Sequence, residues 1–351
     1  MRRKITPLLA AALVAACAPR PYDFPVGLYA VSKPEDATRL AHLGFNAVQC
    51  YDGDDLAQAR AMQKAAHAAG EMLLIAPDAP MKAGARASEF PGAVWYLQDE
   101  PDVSAVSPET LAARDKRVGA WAPGAPRAFV VGDADKARDY PAIGEVLMED
   151  WYPVPHLPLE SSGDKVAAAV KAAGGRRVWA VLQAFDWRLS PQHDSNKPRV
   201  GRFPTFEEMR FLSYDAVLNG ARGLWYFALE PAPGYNLLHE PWLMVRLARA
   251  SIEMREMAPI FARGAPENPP YPPSDDAPLV RAWRYHGRDY AVLEVRRLGK
   301  YKKVPQTMLS GRWRALFAPR RDPRDSLLEH EGGWYLGPYQ VLVLESRPWP
   351  F

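Results

Sequence analysis

The chain is poor in cysteine and histidine, and both shortages narrow the chemistry open to it. Only two cysteines, Cys17 and Cys50, occur in 351 residues. Cys50 sits inside an apolar run, Phe45–Tyr51, where a buried and inert thiol is expected. No internal disulfide can form if Cys17 is modified. The seven histidines show no HxH or HExxH spacing, so neither a metal site nor a cofactor is expected. No GxSxG is present, which argues against a nucleophile-elbow esterase. No glycine-rich phosphate turn follows the first strand-like run. Blocks of Lys and Arg are also missing, and a net charge of +3 gives no reason to expect a nucleic-acid partner. What remains is ordinary globular composition, 48% hydrophobic and 24% charged, long enough for one large domain and one small one.

Long apolar runs are missing as well. Ile5–Ala16 follows the basic Arg2-Arg3-Lys4, as in a signal peptide, and is too short to span a bilayer. Its end, Leu13-Val14-Ala15-Ala16-Cys17, resembles the bacterial lipobox. That resemblance implies cleavage before Cys17, lipidation of its thiol and anchorage to a lipid bilayer. An ordinary cleaved signal with an unrelated cysteine is the alternative. Ala18 follows in place of the Asp of an inner-membrane retention signal. The expected location is therefore the bacterial cell envelope, at the outer membrane, facing the periplasm or the exterior.

What is abundant is alternation. Eight apolar strand-like runs, Phe24–Val31, Phe45–Tyr51, Glu71–Ala76, Ala93–Gln98, Arg127–Gly132, Glu145–Asp150, Arg177–Phe185 and Gly223–Leu229, are separated by helical or loop stretches. Clear helical patterns cover Pro34–Leu43, Asp54–Ala69, Pro108–Trp121, Lys165–Ala173 and Phe206–Leu218. The last opens with Thr205 and Glu208 at capping-box spacing. The stretches after the third and fifth runs are short and weakly helical. Eight such βα units predict a (β/α)8 barrel over residues 24–262, with a doubly wound sheet as the alternative. A closing helix runs from Glu240 to Phe261. Residues 263–278 then carry six prolines and read as a linker. Short alternating strands over residues 279–351, at Val280–Tyr285, Asp289–Val295, Arg312–Phe317 and Gln340–Glu345, predict a small antiparallel β domain. It serves as structural support or as a weak sugar-binding module.

Strand alternation then assigns faces. Gln98 and Glu100 share the inward face of the fourth strand, and Val146, Met148 and Asp150 that of the sixth. By the same phase, Tyr29, Gln49, Tyr51, Asp78, Gln183 and Tyr226 converge at the C-terminal mouth, with Glu230 beside Tyr226. Asp99 and Tyr152 flank the two acids as substrate contacts. Glu149 faces the helices, and Arg202 is a structural ion-pair partner. Trp151, Trp187 and Trp225 are candidate sugar platforms. A mouth rich in carboxylates, amides and phenols suits cleavage of a glycosidic bond. One acid protonates the leaving oxygen, and a second carboxylate attacks or activates water.

Asp99-Glu100-Pro101 after the fourth strand is similar to the Asn-Glu-Pro of clan A glycoside hydrolases, whose Glu is the general acid/base. The chain also resembles a group of bacterial glycoside hydrolases through Asp150-Trp151-Tyr152-Pro153, Leu182 to Phe185, Arg202 to Glu208 and Gly220 to Gly223. The resemblance covers residues 24 to 260. It implies an oligo- or polysaccharide substrate, with Glu100 as general acid. Asp150 is its partner, with a sugar ring between them, and Glu230 is the alternative partner. The clan A nucleophile is a Glu on the seventh strand, where this chain has Gln183, and an amide cannot supply the anion. A non-catalytic carbohydrate-binding lipoprotein is therefore the second reading, and a cell-envelope scaffold the third.

Overall fold

The computed structural model describes residues 23–51, 55–189, 200–318 and 320–346. The expected leader, with Cys17, lies outside the described residues. Eight parallel strands close a barrel in chain order. They are β1 (Val26–Leu28), β2 (Ala47–Cys50), β3 (Met72–Ile75), β4 (Val94–Gln98), β5 (Arg127–Val131), β6 (Val146–Trp151), β7 (Arg177–Gln183) and β8 (Leu224–Phe227). Around them lie α1 (Pro34–His42), α2 (Leu56–Ala69), α3 (Asp78–Lys82), α4 (Pro108–Trp121), α5 (Glu160–Ala172), α6 (Phe206–Leu218) and α7 (Pro241–Arg263). After β5 a 3-10 turn, Ala134–Asp139, stands where a full helix would be. Among the described residues no helix is long and apolar enough to cross a membrane.

The strands are apolar on both faces because both are covered. Ala47, Leu74, Val94, Val130, Met148, Val181 and Trp225 fill the interior. Val48, Ile75, Trp95, Phe129, Leu147, Leu182 and Tyr226 pack outward on the helices. The interior is tight: a Cβ at Gly27 would stand 2.2 Å from the Trp225 ring. Local signals set the helix starts. Asp55 accepts from Ala57 N at 2.9 Å, and Thr205 and Glu208 cap α6 reciprocally. Arg202 holds Glu208 through two bonds of 2.5 and 2.6 Å, which fixes the approach to α6.

The C-terminal part is an antiparallel sheet, ordered β13-β16-β11-β10-β9, with a separate three-stranded sheet, β12-β15-β14. These are β9 (Ala265–Glu267), β10 (Leu279–Tyr285), β11 (Arg288–Glu294), β12 (Lys302–Lys303), β13 (Trp313–Ala315), β14 (Leu328–His330), β15 (Gly333–Leu336) and β16 (Val341–Ser346). The proline-rich stretch is not wholly irregular. Its residues Ala265–Glu267 form an edge strand with Pro266 opposite Trp283, a position that needs no N–H on the outer side. The sheet packs on the barrel through Phe261 and Trp283, whose ring centroids are 5.3 Å apart. Arg296 crosses the same junction to Asp215 at 2.7 Å and Asp164 at 2.8 Å.

Candidate active site

A pit of about 450 Å3 opens at the C-terminal end of the barrel, the end where this architecture carries its sites. Glu100, Asp99, Asp150, Tyr29, Tyr51 and Tyr152 line it, with Phe185, Trp187 and Phe227 as an aromatic wall.

The acids arrive there by a local irregularity. The register of β4 against β5 shifts between Tyr96 and Gln98. Glu100 then adopts φ 39°, a left-handed conformation that costs a non-glycine residue energy and is most often kept at functional sites. The turn is held from two sides. The Asp102 carboxylate accepts the backbone N–H of Gly132 at 3.1 Å and of Asp133 at 2.9 Å, tying the turn to the end of β5. Ser104 N donates to Glu100 O at 2.9 Å. Gly132 leaves room for the Glu100 side chain: a Cβ there would lie 3.1 Å from Glu100 Oε1.

This slip bears on two residues. Gln98, expected inward, is half-exposed, and its amide donates to Asp99 O at 3.1 Å. Asp99, expected as a substrate contact beside Glu100, lines the pit and accepts from Tyr96 OH at 2.5 Å and Tyr51 OH at 3.5 Å. It is open to solvent on one side, yet the walls of the pit still desolvate it. That desolvation raises its pKa, while the two phenols work against the rise by favouring the charged form.

Asp150 stands at the end of β6 in the inward phase of Val146 and Met148. It is nine-tenths buried, and its Oδ2 accepts from Tyr152 OH at 3.1 Å. Among the described residues, no phenol, amide or cation donates to its buried Oδ1. The Glu100 carboxyl lies within hydrogen-bonding reach of the Asp150 side chain. Burial first, then the charge of Glu100, pushes Asp150 well above the carboxylate range. Two carboxyl groups this close disfavour being ionised together. Burial and the nearby acids also raise Tyr29, Tyr51, Tyr96 and Tyr152 well above 10, so all four remain O–H donors.

Other expected residues lie elsewhere. Gln183 keeps the inward phase but is fully buried, and its amide is used on Val154 N and O, both at 2.8 Å, and Phe185 O. It anchors the loop after β6 and does not line the pit. Tyr226 points outward, because the inner residues of β8 are Trp225 and Phe227; its hydroxyl pairs with Ser213 on α6 at 2.8 Å. Asp78 begins α3 on the outside and pairs with Arg114. Gln49 is buried, with Oε1 accepting Ala30 N at 2.9 Å, and supports the β1 end from below the pit. Glu230 accepts from Asn236 at 3.1 Å beside the rim, where Pro231, Ala232 and Pro233 are the lining residues.

Of the three tryptophans, Trp187 alone lines the pit. Trp151 donates to Ser161 at 3.0 Å, and Trp225 is buried in the interior against Tyr29. Phe185 and Phe227 were not anticipated, although each lies two residues along the inward phase from a residue already considered. The expectation for Glu149 agrees with its place: it is buried on the helix side, and that burial pushes its carboxyl well above the usual range. Among the described residues, no three His, Cys, Asp or Glu side chains group as metal ligands would.

No protein-family model matches the chain, and no curated protein matches it in sequence. Solved structures do match its shape. A glycoside hydrolase superposes with a TM-score of 0.57 at 14% identity, covering 92% of both chains. An α-amylase from Geobacillus thermoleovorans complexed with acarbose gives 0.54 at 11% identity, over 90% of this chain and 92% of that one. AmyP in complex with maltose gives 0.53 at 8% identity, over 94% and 98%. At these identities the likeness establishes the fold: a (β/α)8 barrel with a C-terminal β domain.

Proposed function

We propose that the chain is a glycoside hydrolase whose acid catalyst is the Glu100–Asp150 pair. One observation carries this reading. Two carboxyl groups, Glu100 after β4 and Asp150 on β6, meet in an aromatic pit at the C-terminal end of a barrel. Glu100, the less buried of the two, faces the cavity and is the group that protonates the leaving oxygen. Asp150, behind it, holds the proton reserve. Tyr152 orients Asp150 and keeps its own proton throughout.

The contact also revises the expected roles. Opposed carboxylates stand about 5–5.5 Å apart in retaining enzymes and about 6.5–9.5 Å apart in inverting ones. A pair that interacts through a side-chain hydrogen bond is closer than either spacing, so on this reading the sugar ring lies beside Glu100 and Asp150. Asp150 is a proton-sharing partner, not the opposing nucleophile or base. Asp99 is then the carboxylate left to face the positive charge that develops at the anomeric carbon. Gln183, which motivated a non-catalytic carbohydrate-binding role, is used on backbone, so that reading loses its support. Acarbose and maltose in two of the matching structures agree with a saccharide ligand, but the reading rests on the site. We also propose that a lipid on Cys17 anchors the enzyme at the cell envelope.

The test is a broad panel of oligo- and polysaccharides, with new reducing ends measured for the parent and for the Glu100→Gln, Asp150→Asn double variant. Release by the parent and none by the variant supports the proposal. Equal release by both, or none from any glycan, rejects it.

A further inference from the structure

A second cavity, of about 320 Å3, lies at the N-terminal end of the barrel, opposite the pit, where the C-terminal sheet meets α7. Val217, Phe261, Val280 and Trp283 give it an apolar floor. Two arginines line it as well, Arg222 just before β8 and Arg281 on β10. Arg222 Nη1 donates to Phe261 O at 3.0 Å, which fixes that guanidinium beside the cavity. Desolvation first, then the charge of Arg222, pushes the pKa of Arg281 down. The two guanidiniums thus repel across one partly desolvated space, and an anion set between them relieves that repulsion.

The nearby acids are engaged elsewhere. Glu267, which also lines the cavity, reaches Arg284 at 3.6 Å. Glu294 favours the charged form of Arg281, but burial and then Asp215 push Glu294 itself well above the usual carboxylate range. Residues 1–22 and 347–351, outside the described residues, contain no Asp or Glu.

The chain enters the barrel beside this cavity. Pro25 O accepts Leu224 N at 2.8 Å, two residues from Arg222, and Asp23 pairs with Arg263 at 3.1 Å. Cys17 precedes Asp23 by six positions, a reach of at most about 20 Å. A lipid on Cys17 therefore holds this end of the barrel, and not the mouth, near a bilayer.

Resting on the reading of Cys17 as a lipid anchor, we propose that the cavity is a headgroup site for an anionic phospholipid. Arg222 and Arg281 take the phosphate, whose oxygens match the donor fork of a guanidinium. The glycerol lies on Trp283 and its apolar neighbours. The barrel then stands on the membrane with its pit turned away.

The experiment is isothermal titration of the full chain with dihexanoyl phosphatidylglycerol below its micelle concentration. Dihexanoyl phosphatidylcholine and inorganic phosphate are titrated alongside, at low and high salt. Phosphatidylglycerol should bind about tenfold tighter than phosphatidylcholine at low salt, the scale of one charge-assisted contact, and salt should shrink the difference. Arg222→Gln and Arg281→Gln should each weaken its binding about tenfold. The headgroup comparison uses the parent alone, so it does not depend on how the variants fold. Equal binding of the two lipids, no binding of either, or parent-like binding in both variants overturns the proposal. Inorganic phosphate binding as tightly as phosphatidylglycerol overturns it too, by making the cavity a site for a soluble anion. A failed titration overturns this inference alone, whereas a Cys17→Ser variant that stays in the membrane fraction overturns the anchor alone.

Discussion

A methyl group added at Gly132 should disable the site without unfolding the barrel. Gly132 sits just past β5, and its φ is outside the left-handed region, so alanine meets no backbone strain there. The new Cβ would lie 2.9 Å from Val103 Cγ2 and 3.1 Å from Glu100 Oε1. Both distances are shorter than ordinary contact, so Val103 and the Glu100 carboxyl must each move by several tenths of an ångström. Val103 is an exposed rim residue and yields easily. Glu100 has less freedom, because Asp102 and Ser104 hold its turn and its carboxyl interacts with Asp150. Displacement of a catalytic group by about 1 Å costs on the order of 10²-fold in rate. Gly132→Ala should therefore lower kcat about 10- to 100-fold, with unfolding free energy changed by less than about 1 kcal/mol. The assay is kcat on whichever glycan the panel identifies, paired with urea unfolding. Gly311→Ala, where nothing lies within 4 Å of the added Cβ, is the control. Parent-like kcat in Gly132→Ala would show that the position of Glu100 does not limit the reaction, and would refute the reasoning.

Three further outcomes follow from groups outside the pit. Burial raises Glu71 to about 8, so its share of stability is complete below about 4.5 and is lost as pH rises toward 8. Glu71→Gln should leave Tm unchanged near pH 4 and raise it at pH 9, each pH unit between contributing at most about 1.4 kcal/mol; a parallel pair of Tm–pH curves would contradict this. Arg296→Ala strips the buried Asp215 of its cation and should cost about 3–5 kcal/mol in urea unfolding, whereas a loss below 1 kcal/mol would mean the ion pair does not hold the β domain to the barrel. Cys17→Ser should move the protein from the membrane to the soluble fraction and abolish lipid labelling; unchanged fractionation would remove the anchor.

The barrel was legible because its strands are apolar on both faces and separated by helix-forming stretches with readable caps. The same apolarity hid the phase of β8. Leu224, Trp225, Tyr226 and Phe227 are all bulky, so alternation alone could not say that Tyr226 packs outward. The mouth was harder still, because it is built from departures from alternation. The slip after Tyr96 brings Asp99 in and turns Gln98 out, and one extra residue in a strand reverses the face of everything after it. Gln183 shows a different limit: its phase was read correctly, but its partner is the backbone at Val154, which no strand pattern reveals. Asp78 left the mouth because the chain enters a helix directly after Pro77. The strands β12, β14 and β15 are two to four residues long, too short for a periodic signal.

The most direct test compares Glu100→Gln with the parent on two substrates of the same sugar: the natural glycan, and its 2,4-dinitrophenyl glycoside, whose leaving group needs no proton. If Glu100 and Asp150 deliver the proton, the variant loses about 10²–10⁴ in kcat on the glycan and little on the dinitrophenyl glycoside. Equal losses on both substrates, or parent-like rates on the glycan, would contradict the account.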